Sequence, residues 1–270
     1  MGKDRYDSLG DRMKMYESQE TQRRFIPTLP VYARIDGRSF SSFTRGMKRP
    51  FDEQMTNAMI ETTKALVKQT NAVIGYTQSD EISLMWYSPN VKSSIFFDGK
   101  IQKINSQLAA IASVYFLQEA QKYWPEKLTK GLPTFDSRVF SLPSKEEAVN
   151  CFLWREWDAT KNSYSMAAHS YYSAKQLHGK NSSQKQEMLF AKGLNWNDYP
   201  TSFKRGTYVK RVVKDVKIDD ETWAKIPDGK KPESRMAKRS FIEVVDVPPL
   251  ASVENRAGFF FDGEDPLVCK

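Results

Sequence analysis

Two short acidic turns, Arg34-Ile35-Asp36-Gly37-Arg38 and Ser79-Asp80-Glu81, hold the residue types best suited to chemistry, and each closes a run that reads as a buried strand. A carboxylate at a strand end can hold a divalent cation, and two brought together can hold a pair. Metal pairs about 3.5–4 Å apart run in-line phosphoryl displacements. Magnesium takes oxygen ligands and keeps several waters, so two carboxylates plus substrate phosphates suffice. Gly37 lets the backbone turn sharply, so its carbonyl could join the coordination shell while nearby amides face phosphate. Taken alone, Asp-Gly is a common turn dipeptide and Asp-Glu at a hairpin tip is ordinary solvated turn chemistry. Their joint occurrence at equivalent sheet positions is what points to Asp36 and Asp80 as metal ligands. Ser79 either contacts a nucleotide or caps its turn.

The basic residues near these turns, Arg34, Arg38, Lys48, Arg49, Lys100 and Lys103, could neutralise a triphosphate and the charge that builds in a transition state. Arg49-Pro50-Phe51-Asp52 leads into a helix start, where amides and the helix dipole favour an anion. Lys100 and Lys103, three apart, point to the same side of a helix. Each taken singly reads more readily as a solvated surface charge than as a phosphate ligand. A Gly-x-x-x-x-Gly-Lys phosphate loop is missing, which disfavours a P-loop enzyme. His169 and His178 stand in neither a nucleophile nor a zinc signature, and Cys151 and Cys269 lie too far apart in sequence to suggest a disulfide framework. Trp196, Tyr199 and Phe203 beside Lys204 and Arg205, with Leu177-His178-Gly179-Lys180, mix aromatic and basic groups as RNA-stacking surfaces do. An ordinary packed surface explains them about as well.

The elements that must position the two turns follow from periodicity. Val31 to Ile35 reads as a strand ended by Gly37. Asp52 to Lys68 reads as an amphipathic helix with Asp52 as N-cap. Ala72 to Gln78 and Ile82 to Tyr87 form a tight antiparallel hairpin around Ser79-Asp80-Glu81. Ile101 to Trp124 is a second amphipathic helix that Pro125 helps to stop, and Phe135 to Leu142 a fourth strand. The order β-α-β-β-α-β predicts an α+β, ferredoxin-like palm with an antiparallel sheet, which would bring Asp36 beside Asp80. After Pro143 the texture changes to a mainly helical extension with a few strands. Lys145 to Leu177 is helix-compatible up to a stop at Gly179, and Ser183 to Ala191 is a short helix. Thr207 to Val213 and Ser240 to Val247 read as strands, flanking a Lys/Pro/Gly-rich loop from Asp228 to Arg239. The expected division is a palm over 1–143 and an RNA-contacting extension over 144–270 packed on it, with the last twenty residues a poorly ordered tail.

Composition narrows the classes further. The chain has 270 residues, of which 40% are hydrophobic and 13% aromatic, enough for a substantial core. A formal net charge of +8 favours a polyanionic partner. Met1 to Arg24 is polar and charged, without the apolar centre of a signal peptide, and no run reaches transmembrane length. A soluble, cytoplasmic protein without a membrane partner is expected.

Four signatures then recur in order: Arg34-Ile35-Asp36-Gly37-Arg38, Tyr76-Thr77-Gln78-Ser79-Asp80-Glu81, Phe135-Asp136-Ser137-Arg138-Val139 and Trp154-Arg155-Glu156-Trp157-Asp158. Together they resemble the tRNA-His guanylyltransferase superfamily, particularly its bacterial and phage-type branch, over roughly residues 5 to 213. The resemblance implies a polymerase-like palm that extends RNA in the 3′-to-5′ direction. It implies two magnesium ions on Asp36, the Gly37 carbonyl and Asp80, with Ser79 and Glu81 matching positions needed for activity. The implied nucleotide-binding set is Arg34, Asp36, Gly37, Arg38, Ser39, Phe40, Arg49, Ser79, Asp80 and Lys103. ATP and GTP are the implied nucleotide substrates, tRNA the RNA, and a homotetramer or other homo-oligomer the assembly. Where eukaryotic members carry a His-Ile-Asn-Asn-like stretch, this chain has Thr160-Lys161-Asn162-Ser163. That departure favours repair of 5′-truncated tRNAs over strict G−1 addition to tRNA-His. The alternatives are a palm-domain nucleotide cyclase, which the long segment after Pro143 argues against, and a non-catalytic RNA-binding protein, which retention of Asp36 and Asp80 argues against.

Overall fold

In the computed structural model, residues 5–269 are described. The chain runs α1 (Arg5–Thr21), β1 (Val31–Gly37), α2 (Phe40–Phe43), α3 (Glu53–Thr70), β2 (Ile74–Gln78), β3 (Glu81–Trp86), α4 (Ile101–Tyr123), α5 (Pro125–Leu128) and β4 (Phe135–Ser141). It continues through α6 (Lys145–His169), α7 (Ala174–Leu177), α8 (Ser182–Phe190), α9 (Thr201–Arg205), β5 (Thr207–Lys217), α10 (Asp220–Lys225) and β6 (Met236–Val245). The expected β-α-β-β-α-β order is present in β1 to β4 with α3 and α4. Asp52 caps α3 as read from sequence, accepting from the amides of Gln54 at 2.9 Å and Met55 at 3.1 Å, a contact worth about 1 kcal/mol. Pro125 both ends α4 and opens the short α5, where its missing N–H costs nothing.

The sheet is antiparallel throughout, in the order β4-β1-β3-β2-β5-β6. Alternation along β1 sorts its two faces. Val31, Ala33 and Ile35 pack under α3 and α4 with Leu66, Ile104, Leu108 and Phe116. Tyr32 faces the other way, into a second core with Phe152 of α6, Tyr76, Tyr208 and Phe260. Asp36 lies on this second face, the one crossed by α6. The sheet therefore sits between two helical layers, and the end of β1 that carries Asp36 opens at one rim.

Several segments differ from the sequence reading. Helix α1 has few apolar residues and no strong periodic face; it rests on α4 through contacts such as Gln102 Nε2 donating to the Glu20 carbonyl at 3.1 Å. Strands β5 and β6 run longer than their apolar cores suggest, because each supplies the other's hydrogen bonds from Tyr208↔Val245 to Lys217↔Met236. Residues 236–239 are thus strand rather than loop. The first half of the final twenty residues is packed rather than a loose tail, and the largely exposed stretch from 262 to 269 is tied back by hydrogen bonds. Phe259 and Phe260 are buried against α6 and β5, and the Cys269 amide donates to the Ser252 carbonyl at 2.8 Å. Three adjacent rings, Phe259 to Phe261, show neither a helical nor a strand period from which to read this.

Glu156 of α6 ties these layers together. It is buried, accepts from the Tyr208 hydroxyl at 3.0 Å and the Leu250 amide at 2.9 Å, and has Arg205 Nη1 at 3.8 Å. Burial raises its carboxyl above the ordinary value, against the pull of those donors. With the folded pKa above the unfolded one, stability from this group is fully present below the unfolded pKa and falls as pH rises through the folded value. Glu156→Gln should therefore lose the corresponding fall in urea-derived stability as pH rises above the ordinary glutamate pKa of about 4.3. An unchanged slope would show that Glu156 is not buried as charged. Phe260→Ala should lower the unfolding free energy by about 3–5 kcal/mol; a shift within about 0.5 kcal/mol would mark an unpacked tail.

Candidate active site

The end of β1 and the β2–β3 turn meet at the rim. The Gly37 amide donates to the Asp80 carbonyl at 3.0 Å, and the Arg38 amide to the Thr134 carbonyl at 2.8 Å. The backbone between Asp36 and Arg38 is thereby pinned on both sides. A Cβ at Gly37 would overlap the Phe40 ring, so the turn requires glycine. Ser79 holds a positive φ of 50° at the hairpin tip, which sets Asp80 pointing inward while Ser79 stays exposed.

Register places three acids in one row across the sheet: Asp136 of β4, Asp36 of β1 and Glu81 of β3. Like charges directly opposite repel, and two of the three have cations of their own. Arg138 Nη2 lies 3.4 Å from Asp136, and the Arg155 Nε of α6 donates to Glu81 at 2.6 Å. Arg155 also reaches Asp158 at 2.9 Å, and Arg34 Nε stands 3.9 Å from the second Glu81 oxygen. Glu81 and Arg155 are both buried, and burial raises the Glu81 carboxyl despite its partner. Among the described residues, no lysine or arginine forms an ion pair with Asp36 or Asp80. Burial raises the Asp80 carboxyl, and the neighbouring Asp36 charge pushes the same way, against its own backbone amide and the Ser79 hydroxyl. Two mutually repelling carboxylates without a protein cation, beside a pinned carbonyl, fit a hard divalent ion such as magnesium. Among the described residues no group of three or more His, Cys, Asp or Glu side chains could hold a metal. The remaining ligands would be water and substrate phosphate.

Asp36, Ser79, Asp80 and Glu81 line a cavity of about 530 Å³, a size suited to a nucleotide. Lys48 and Arg49 lie on its wall with exposed side chains, beside Asp52, Met47 and Met55. Other expected residues sit elsewhere. Arg34 does not line the cavity; its guanidinium pairs with Glu81 and lies 5.6 Å from the Trp154 ring centre. Arg38 and Ser39 are exposed at the rim, and Phe40 packs its side chain into the core against Phe43, Phe116 and Phe135. Only its main chain could meet a ligand. Lys103 and Lys100 line a separate groove beside α1, with Lys103 Nζ 4.7 Å from the Phe97 ring centre, and the fold does not bring them to Asp36.

The far wall comes from α6: Arg155, Asp158, Asn162, Met166 and His169 recur at helical spacing along one face. That period of polar groups is visible in the sequence once the helix is known, but polar residues carry no apolar signal to single it out. Phe203 and Phe51 close the top, stacked at 5.0 Å. Of the expected RNA-stacking cluster, Trp196, Lys204 and Arg205 are engaged internally, whereas His178 and Lys180 are exposed. Trp196 Nε1 donates to Ser163 at 3.0 Å, Lys204 Nζ to the Asn197 carbonyl, and Arg205 pairs with Glu156.

A family model described as tRNAHis guanylyltransferase (Thg1) matches residues 10–143. A solved bacterial tRNA(His) guanylyltransferase-like protein, in complex with ATP, is 38% identical, with a TM-score of 0.70 over 75% of this chain and 88% of its own. The chain belongs to the tRNAHis guanylyltransferase family. A second solved structure of a bacterial tRNA(His) guanylyltransferase-like protein, in complex with GTP, is 31% identical with a TM-score of 0.66, covering 90% of this chain and 94% of its own. The tRNA(His) guanylyltransferase of Saccharomyces cerevisiae is 29% identical over 71% of this chain and 86% of its own length. Guanylyltransferases are nucleotidyltransferases, and this family member is one by class.

Arg155 is the buried link between α6 and the acidic hairpin. Arg155→Met should cost about 3–5 kcal/mol by leaving Glu81 buried and unpaired, and adding Glu81→Gln should recover most of that loss. Urea denaturation of the two single variants and the double variant measures the coupling; additive losses would mean the pair is not a unit.

Proposed function

We propose that this guanylyltransferase-family protein adds nucleotides to tRNA 5′ ends in the 3′-to-5′ direction, after activating the end with ATP. One observation carries the reading. Asp36 and Asp80, carboxylates without a protein cation, stand on the wall of a nucleotide-sized cavity that also carries Lys48 and Arg49. An oxygen of the RNA 5′-monophosphate attacks the α-phosphorus of ATP, expelling pyrophosphate and leaving a 5′-5′ pyrophosphate link. The 3′-hydroxyl oxygen of the incoming nucleotide, typically GTP, then attacks the RNA phosphorus and AMP departs. A 5′-triphosphorylated RNA bypasses the first step. Two magnesium ions, held by Asp36, the Gly37 carbonyl and Asp80, would supply Lewis acidity and a more acidic attacking hydroxyl.

The protein's own groups do the rest. Arg49 and Lys48 offset the triphosphate charge, and the α6 wall with Phe51 and Phe203 narrows the cavity around the base. Ser79 at the tip orients Asp80 through its hydroxyl. Arg155 keeps Glu81 ionised and fixed, so the hairpin does not drift as charge moves. Repair of 5′-truncated tRNA is the leading substrate, because Thr160-Lys161-Asn162-Ser163 lacks the histidine of the eukaryotic stretch; G−1 addition to tRNA-His is the second. The reading entails RNA binding, a homo-oligomer such as a tetramer, and a cytoplasmic setting. No helix among the described residues is long and apolar enough to cross a membrane.

The test is extension of 5′-labelled tRNAs, full-length tRNA-His or species lacking their first residue, with magnesium, ATP and GTP. Asp36→Asn and Asp80→Asn should each cut the rate more than about 10²-fold, beyond what outer-shell changes do, with thermal unfolding little changed. Near-normal extension by either variant excludes the paired-carboxylate mechanism. Lack of extension by the wild type on every RNA excludes the reaction.

A further inference from the structure

We infer that an exposed stripe on α6, formed by Trp154, Trp157 and Lys161, is a stacking platform for unpaired nucleotides at the end of the RNA substrate. The inference rests on the proposed reaction for its ligand class, and it assigns a part of the surface that the nucleotide cavity does not use.

Exposed tryptophan is unusual, because its large apolar surface favours burial. Here Trp154 is 49% exposed and Trp157 58%. With Lys161, also exposed, they follow i, i+3, i+7 spacing and so share one side of the helix. At 100° per residue, this stripe lies just outside the polar face of Arg155, Asp158 and Asn162, next to the Asp158 rim. None of the three lines the cavity.

Two features favour RNA over an apolar partner. The guanidinium groups of Arg155 and Arg34, both paired with Glu81, lie 4.5 Å and 5.6 Å from the Trp154 ring centre and hold that ring in place, and the exposed Lys161 puts a cation at the far end of the stripe. Alternating π-faces and cations match the alternation of bases and phosphates in single-stranded nucleic acid. Position is the second feature. Arg34 stands two residues before Asp36 on the same sheet face, and Arg155 bonds Glu81, directly across from Asp36. The platform therefore begins where the metal-binding row ends. A nucleotide occupies the cavity while the unpaired 3′ strand, opposite the 5′ end being extended, lies over the exposed stripe of α6.

Equilibrium binding separates this inference from the reaction. The probes are a short RNA duplex with a single-stranded 3′ overhang and the same duplex with blunt ends. Trp157→Ala should weaken overhang binding between about fivefold and 150-fold, the range for losing one stacked base. Trp157→Phe should retain most of the affinity, and Lys161→Ala should flatten the salt dependence. Blunt-duplex binding, ATP binding and the thermal midpoint should stay as in the wild type. Undiminished overhang binding by Trp157→Ala overturns the platform, as does an equal loss on blunt duplex. A change of solution mass in Trp157→Ala with RNA binding intact also overturns it, since the stripe would then seat a second copy of the chain. A wild type that extends no RNA but shows the overhang-specific loss in Trp157→Ala would remove the proposed reaction and keep the platform.

Discussion

A buried ion pair between Arg155 and Glu81 holds the functional parts of this molecule in relation. The acidic β2–β3 hairpin belongs to the sheet and the far cavity wall belongs to α6, and these are distant in sequence. Apolar packing of Phe152 on Tyr32 and Tyr76 brings the two layers together, but packing of rings tolerates small slides. A charged hydrogen bond of 2.6 Å does not. Taking both charges out of water is costly, and the arrangement persists because Asp158 and Arg34 supply further partners. The outcome is a division of labour along one acidic row. Glu81 is neutralised by protein, Asp136 by its neighbour Arg138, and Asp36 has no ion-paired lysine or arginine among the described residues.

The central β-α-β-β-α-β unit was legible because its signals are apolar and periodic. Val31, Ala33 and Ile35 alternate, the helices show their faces, and Asp52 is a recognisable cap. The meeting of Asp36 with Asp80 followed from that topology alone. What was hidden depended on tertiary context. The packed end of the chain is carried by Phe259 and Phe260, whose partners lie on α6 and β5. Helix α1 lacks an apolar stripe to announce it. Strand β6 begins in residues whose sequence reads as loop, because β5 supplies its hydrogen bonds.

Within the site, the acids and Arg49 were readable from type and position, whereas the α6 wall was not. A polar helical face has the same appearance whether it meets solvent or a ligand. Arg155 illustrates the difficulty: its neighbours Trp154 and Trp157 are exposed while it is buried, an inversion of what side-chain character suggests. Lys103 illustrates the opposite case. Its charge and spacing suited phosphate, yet the start of α4 faces α1 rather than the rim.

The order of strands has a bearing on substrate size. Strand β4 is the outer margin of the sheet, and β1, carrying Asp36, is its immediate neighbour. The acids therefore stand near an open flank instead of at the bottom of a tunnel. A folded polymer far larger than the protein can be laid sideways against such a flank with no free end to thread, and can leave by the same route.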